Sequence, residues 1–199
     1  MKINRENQRI RFPMQWLTVC VLGALIAAPS MALAETPKQP NIVLLISDDD
    51  DYEHFGFMGS KIAHTPTLDQ LVAAGTLFTT VHCPAPLCRP SLASMLSGRM
   101  PHQHGIYGNY LEKRGIGNDQ TKLAPSGSLA NRLKNAGYAT YASGKYWEGD
   151  PQAMGFTHGT AEVTAQGFRQ FVREGQEELF QFIDDQHEEK PMFIWWAPL

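Results

Sequence analysis

The segment Asn41-Ile42-Val43-Leu44-Leu45-Ile46 carries no charge and stops at four consecutive aspartates, residues 48–51. It shows no apolar–polar alternation and includes branched residues. That pattern predicts a strand buried on both faces, as in a parallel sheet. Such a strand needs helices above and below it and long crossovers to its neighbours, so the rest of the chain must alternate between strands and helices.

The later sequence has this alternation. Thr65-Pro66 predicts a helix N-cap followed by proline at the first helical position. Leu68, Leu71 and Val72 give that helix an apolar stripe, and Gly75 ends it. A short strand is expected over 77–81. The loop Cys83-Pro84-Ala85-Pro86-Leu87 then leads to a helix over 89–97, stopped by Gly98. Residues 105–126 are glycine-rich and read as loop. A helix over 128–136 uses Leu129, Leu133 and Ala136, and a strand over 138–143 ends at Gly144-Lys145. Phe168, Phe171, Val172, Leu179, Phe182 and Ile183 recur at helical spacing, and 192–196 form a last strand. The expected fold class is α/β, a mostly parallel central sheet with helices on both faces.

Residues 1–34 read as a secretory signal peptide. Lys2, Arg5, Arg9 and Arg11 make a basic start, residues 16–28 a short apolar stretch, and Ala32-Leu33-Ala34 a small-x-small cleavage pattern. The apolar stretch falls short of the roughly 20 residues of a membrane span, so no stable anchor is expected after cleavage. Removing the signal moves the net charge from −3 to about −6, which argues against a nucleic-acid surface. The remaining domain, 35–199, ends directly after an apolar run, as expected of a chain cut within a domain. Its two cysteines, Cys83 and Cys88, can pair in an oxidising compartment unless Cys88 has another use.

In parallel α/β sheets, ligands collect beyond the carboxyl ends of the strands. Asp48 and Asp49 follow the first strand directly, and carboxylate oxygens suit a hard cation such as Ca²⁺ or Mg²⁺. Asp50 and Asp51 read as solvated. Cys88 stands at a helix start, where unpaired N–H groups favour a thiolate or a bound oxyanion. A cysteine-phosphatase loop is excluded, because the position six after Cys88, where that loop needs arginine, is Ser94. Lys145, ending a strand after Gly144, can reach the same crevice. His102 and His104 read as structural, and the other histidines show no convergent spacing.

These segments together resemble a known family. The segment from Pro40 to Asp49 resembles the opening strand of type I sulfatases, and Thr65-Pro66-Thr67-Leu68-Asp69-Gln70-Leu71 the segment that follows it. Cys88-Arg89-Pro90-Ser91-Leu92-Ala93-Ser94-Met95-Leu96-Ser97-Gly98-Arg99 is similar to the first family signature, C-x-P-S-R-x-x-x-L-T-G. Gly137-Tyr138-Ala139-Thr140, running to Gly144-Lys145, is similar to the second.

The resemblance implies an alkaline-phosphatase-like fold, of which residues 35–199 are the N-terminal part of the catalytic domain. It implies that a maturation enzyme converts Cys88 to formylglycine, whose hydrated aldehyde attacks the sulfur of a sulfate ester. It implies Ca²⁺ held by Asp48 and Asp49 and touching residue 88, with Lys145 as a cationic donor. The implied substrate is a sulfated small molecule or glycan, and the implied location periplasmic or secreted. Two positions depart from the pattern. Leu92 stands where the family has arginine, and Trp147 where it has histidine. Arg89, three residues before Leu92, is expected to substitute in part for the missing arginine. Two alternatives stay open: a phosphodiester or phosphonate ester hydrolase with the same nucleophile, and a non-catalytic protein binding sulfated glycans. All readings require the helix start at residue 88 and the strand tip at 48–49 to meet in one pocket.

Overall fold

A computed structural model describes residues 39–109, 123, 127–159 and 176–198, all within the compact unit Gln39–Leu199. The predicted signal peptide lies outside them, as do most of the 105–126 loop and the first part of the helix expected from Phe168.

Three strands, β1 (Ile42–Leu45), β2 (Ala139–Gly144) and β3 (Met192–Ala197), form a parallel sheet in the order β1-β3-β2. Among the described residues five helices accompany it: α1 (Pro66–Ala74), α2 (Cys88–Ser97), α3 (Pro101–His104), α4 (Leu129–Asn135) and α5 (Glu177–Gln186). Two short 3₁₀ turns, Tyr52–His54 and Gly56–Met58, follow the aspartates.

The central strand β3 shows why both faces need cover. Phe193, Trp195 and Ala197 belong to one core with Leu92, Leu96, Ile106 and Phe156, beneath α2 and α4. Met192 and Ile194 belong to a second core with Tyr141, Leu179 and Phe182, beneath α5. The period of two along a strand sends alternate residues to opposite faces. Burying a side chain such as Phe193 completely contributes roughly 1.5–3 kcal/mol. Among the described residues, no helix is long and apolar enough to cross a membrane.

Three expectations are corrected. Strand β1 is not buried on both faces: Val43 and Leu45 are 60% and 47% exposed. Val43 lies opposite Ile194, on the side of the sheet where α5 packs over β2 and β3, and the core beneath α5 takes in no residue of β1. No strand forms over 77–81; with no strand beside it, this segment is open loop and Phe78 is 75% exposed. Thr65 stands at the start of α1 but its hydroxyl does not cap the helix. It donates to Asp69 Oδ1 at 2.9 Å and accepts from Gly56 N at 2.8 Å. This stitches α1 to the turn before it.

The register levels the strand ends. Leu45 and Ser143 both lie opposite Trp196, and Gly144 lies opposite Ala197. Ile46 N donates to Trp196 O at 2.9 Å and Lys145 N to Ala197 O at 2.8 Å. The segments after β1 and β2 therefore emerge together along the carboxyl edge. Gly144 is required for this exit. Its φ is +85°, and a Cβ there would lie 2.2 Å from Ala197 O.

Candidate active site

Helix α2 begins at Cys88, one residue earlier than its apolar pattern suggested. The residue in its N-cap position, Leu87, has no side chain able to satisfy the first-turn N–H groups. That work falls to Asn109, twenty residues on, whose Oδ1 accepts from Arg89 N at 3.1 Å. The same amide donates from Nδ2 to Cys88 Sγ at 3.1 Å. At the other end Gly98, in the left-handed region, closes the helix through its N–H to Ser94 O at 2.8 Å.

A cleft of about 410 Å³ lies at the carboxyl edge of the sheet, and Asp48, Asp49, Cys88 and Lys145 all line it. Leu92 and Met95 of α2 add an apolar wall. The strand tip and the helix start thus meet. Lys145 Nζ donates to Asp48 Oδ1, and their side chains are only 17% and 12% exposed. Burial, the largest single influence on Lys145, pulls its pKa down. The hydrogen bond to Asp48 and the electrostatic influence of the neighbouring Cys88 and Asp48 together outweigh it, so the ammonium is held above its ordinary value. Asp49 is the one non-glycine with positive φ among the described residues, at 54°. Aspartate tolerates this region better than most residues, and local strain of this kind concentrates at functional sites.

The next two aspartates separate by role. Asp51 is exposed and caps the first 3₁₀ turn, accepting from Glu53 N at 2.8 Å. Asp50 touches the cleft rim and pairs with His54 Nδ1 at 3.2 Å, largely in solvent. Among the described residues no three His, Cys, Asp or Glu side chains converge as a metal site. Asp48 and Asp49 are oxygen donors of the kind a hard divalent cation takes, short by themselves of the roughly six to eight oxygens such an ion needs.

Arg89 is not brought to the cleft. Its side chain turns the other way, 5% exposed, with Nε on Glu148 Oε1 at 3.0 Å and Nη2 on Glu148 Oε2 at 3.4 Å. Its Nη1 also donates to Asn109 O at 3.3 Å. One helix turn separates residues 89 and 92, but they face different neighbours, and Leu92 alone reaches the cleft. Trp147 packs against the larger core and does not line the cleft. His104 is fully buried, its Nδ1 accepting from Ile106 N at 3.1 Å and its Nε2 bonded to Ser94 Oγ at 2.9 Å. It is structural, as expected, while His102 is exposed. Among the described residues Cys83 and Cys88 are both free, and Cys83 also lines the cleft.

Sequence reasoning missed Asn109 and Glu148. Asn109 sits in a glycine-rich stretch with no periodicity. Glu148 gave one weak signal, an acidic residue directly after an aromatic pair at a strand exit.

The family model for sulfatases matches residues 40–199. The chain is 36% identical over 156 residues to N-acetylgalactosamine-6-sulfatase of Rattus norvegicus, covering 74% of this chain and 28% of that protein. It is 37% identical over 134 residues to arylsulfatase A of Bos taurus, covering 66% of this chain and 24% of that protein. Among solved structures, BT4656 in complex with its substrate D-glucosamine-2-N,6-O-disulfate superposes with a TM-score of 0.64 at 18% identity. That match covers 81% of this chain and 34% of the other, and speaks to the fold. The chain belongs to the sulfatase family, with the α/β fold of its structural neighbours. It spans about a quarter of the length of the curated relatives it matches.

Proposed function

We propose that this chain is the nucleophile-bearing part of a sulfuric ester hydrolase, with Cys88 matured to formylglycine and Asp48 and Asp49 contributing to a Ca²⁺ site. One observation carries the reading. In a chain of this family, Cys88 at a helix N-terminus shares a single cleft with Asp49 and the Asp48–Lys145 pair.

A sulfate ester is an anion, and the cleft is built to meet one. The first-turn N–H groups of α2 carry partial positive charge toward residue 88. Lys145 presents an ammonium, charged at neutral pH as lysine ordinarily is, at the cleft wall. Asp48 holds that ammonium at the cleft, so its donor hydrogens are aimed before substrate arrives. Matured to formylglycine, residue 88 would supply a geminal diol. One oxygen would bond to sulfur as the bond from sulfur to the ester alcohol breaks and the alcohol leaves. The other would then lose its proton, restore the carbonyl and release sulfate. Held by Asp48 and Asp49, Ca²⁺ would supply positive charge against the sulfate oxygens. Its further oxygen ligands come from segments outside the described residues. Leu92 and Met95 exclude water beside the reacting group and offer no hydrogen bond, which distinguishes this site from relatives with arginine at the position of Leu92.

The substrate is a sulfated small molecule or glycan, and the domain works after export, in the periplasm or outside the cell, without a lasting membrane anchor. A formylglycine-generating enzyme is its maturation partner. The test uses the full-length protein co-expressed with such an enzyme. Mass analysis of the peptide containing residue 88 is expected to show the aldehyde, and an aryl sulfate to be hydrolysed, with Cys88→Ala inactive. An unmodified thiol and no turnover overturn the reading. Faster turnover of an aryl phosphodiester or phosphonate moves the enzyme to that substrate class.

A further inference from the structure

The buried Arg89–Glu148 pair is a costly feature that the proposed chemistry leaves unused. Both side chains are about nineteen-twentieths buried, at 5% and 3% exposed. Desolvating two charges takes several kcal/mol from the fold unless their hydrogen bonds are well satisfied. Here the fork of Arg89 engages both oxygens of Glu148 and, through Nη1, the carbonyl of Asn109. Asn109 in turn is the residue whose amide touches Cys88 Sγ.

The orientation of that amide is fixed by its surroundings. Arg89 N–H is a donor only, so the atom of Asn109 facing it must be the carbonyl oxygen. The NH₂ group is then necessarily the one at Cys88 Sγ. Two residues of α2, one through its backbone N–H and guanidinium and one through its sulfur, therefore clamp Asn109 at three points. A residue in a glycine-rich loop acquires the fixed geometry that catalysis needs.

We propose that Asn109 is a catalytic residue of this site, donating a hydrogen bond to the reacting group of residue 88, and that Arg89 and Glu148 are positioning residues acting through it. The inference rests on the sulfatase reading. Under that reading the sulfur of Cys88 stands where an oxygen of the mature aldehyde hydrate sits. A neutral amide there donates to the attacking oxygen without adding charge to a cleft that already holds Lys145. It offers a donor at the nucleophile in a site that lacks the donors the family pattern places at positions 92 and 147.

The test uses the full-length protein, with turnover expressed per aldehyde-bearing molecule. Asn109→Ala is expected to lower kcat at least about tenfold with KM changed less than about twofold, the pattern of an interaction made chiefly in the transition state. Glu148→Gln is expected to lower kcat about fivefold. The double variant is expected to be no slower than Asn109→Ala alone, because the buried pair acts through Asn109. If Glu148→Gln does not fold, Arg89→Lys, which keeps the charge and loses the two-pronged fork, takes its place. Wild-type turnover by Asn109→Ala overturns the proposal while leaving the sulfatase reading intact. Full additivity in the double variant overturns the positioning role. An unmodified thiol and no aryl sulfate turnover in the wild type overturn both.

Discussion

Lys145 Nζ is hydrogen-bonded to Asp48 Oδ1, joining the exits of two strands that lie 97 residues apart in sequence. Neither residue touches the other through local structure. Strands β1 and β2 are not even neighbours, since β3 runs between them. The pair forms because a parallel sheet in level register delivers both strand ends to the same edge.

Removing the ammonium tests what this pair does. Lys145→Met leaves Asp48 without its cation, and stability is expected to fall by about 1 kcal/mol, less than for a fully enclosed pair because solvent still reaches it. In the full-length protein kcat is expected to drop about 100-fold, the scale for losing one donor aimed at developing negative charge. Chemical denaturation and steady-state kinetics check the two effects separately. An unchanged kcat would detach Lys145 from the chemistry.

His104 gives the fold an acid-sensitive point. Burial, chiefly, lowers its pKa below the ordinary histidine value. Ser94 Oγ donates to Pro90 O at 2.9 Å, so it must accept from His104 Nε2–H, while Nδ1 accepts from Ile106 N. The bond at Nδ1 requires the neutral ring, since protonation there removes the acceptor, whereas the Nε2–H bond survives it. The unfolded chain therefore binds a proton more readily than the folded one. Stability from this group is full above about pH 6.5 and declines as the pH falls through the lowered folded value. The urea midpoint is expected to drop from pH 7.5 to pH 5. In His104→Gln the midpoint is expected to be lower at pH 7.5, by about 1–2 kcal/mol, with a shallower acid limb. A variant with an equally steep limb would place the titration elsewhere.

The Arg89–Glu148 pair predicts an asymmetry between breaking and replacing. Glu148→Leu strands a buried guanidinium and is expected to cost about 3–5 kcal/mol, whereas Arg89→Met with Glu148→Leu is expected to recover much of that loss. Denaturation midpoints of the single and double variants read it directly. A double variant as unstable as the single would mean that the cost lies in packing rather than charge.

Gly144→Ala is expected to destabilise by at least about 2 kcal/mol, since the new methyl meets the backbone of Ala197 at an already left-handed φ. Because Lys145 hangs from that exit, aryl sulfate turnover in the full-length protein is expected to fall with it. A thermal midpoint equal to that of the wild type would show that the two strand ends have room to part.

Much of this was legible in the residues. The strand at 41–46, though not its burial on both faces, the helix closed by Gly98 and the strand ending at Gly144-Lys145 follow from runs, periodicity and glycine placement, and their bounds came out within a residue or two. The expected strand at 77–81 failed because a strand requires partners, and five apolar-rich residues carry no record of whether any lie beside them. Arg89 failed to reach the cleft for a related reason. Helical spacing says which residues share a face, but not which neighbouring segment waits there with an opposite charge.

The sequence by itself determined the alternation of strands and helices, the parallel character of the sheet and the residue types available for chemistry, because these depend on short-range periodicity and side-chain chemistry. Only the tertiary structure decided that Cys88 meets Asn109, that Lys145 meets Asp48, and that Arg89 faces Glu148. Those contacts join segments 21, 97 and 59 residues apart. Contacts at such separations are set by sheet order, register and competition for burial, which no local pattern encodes.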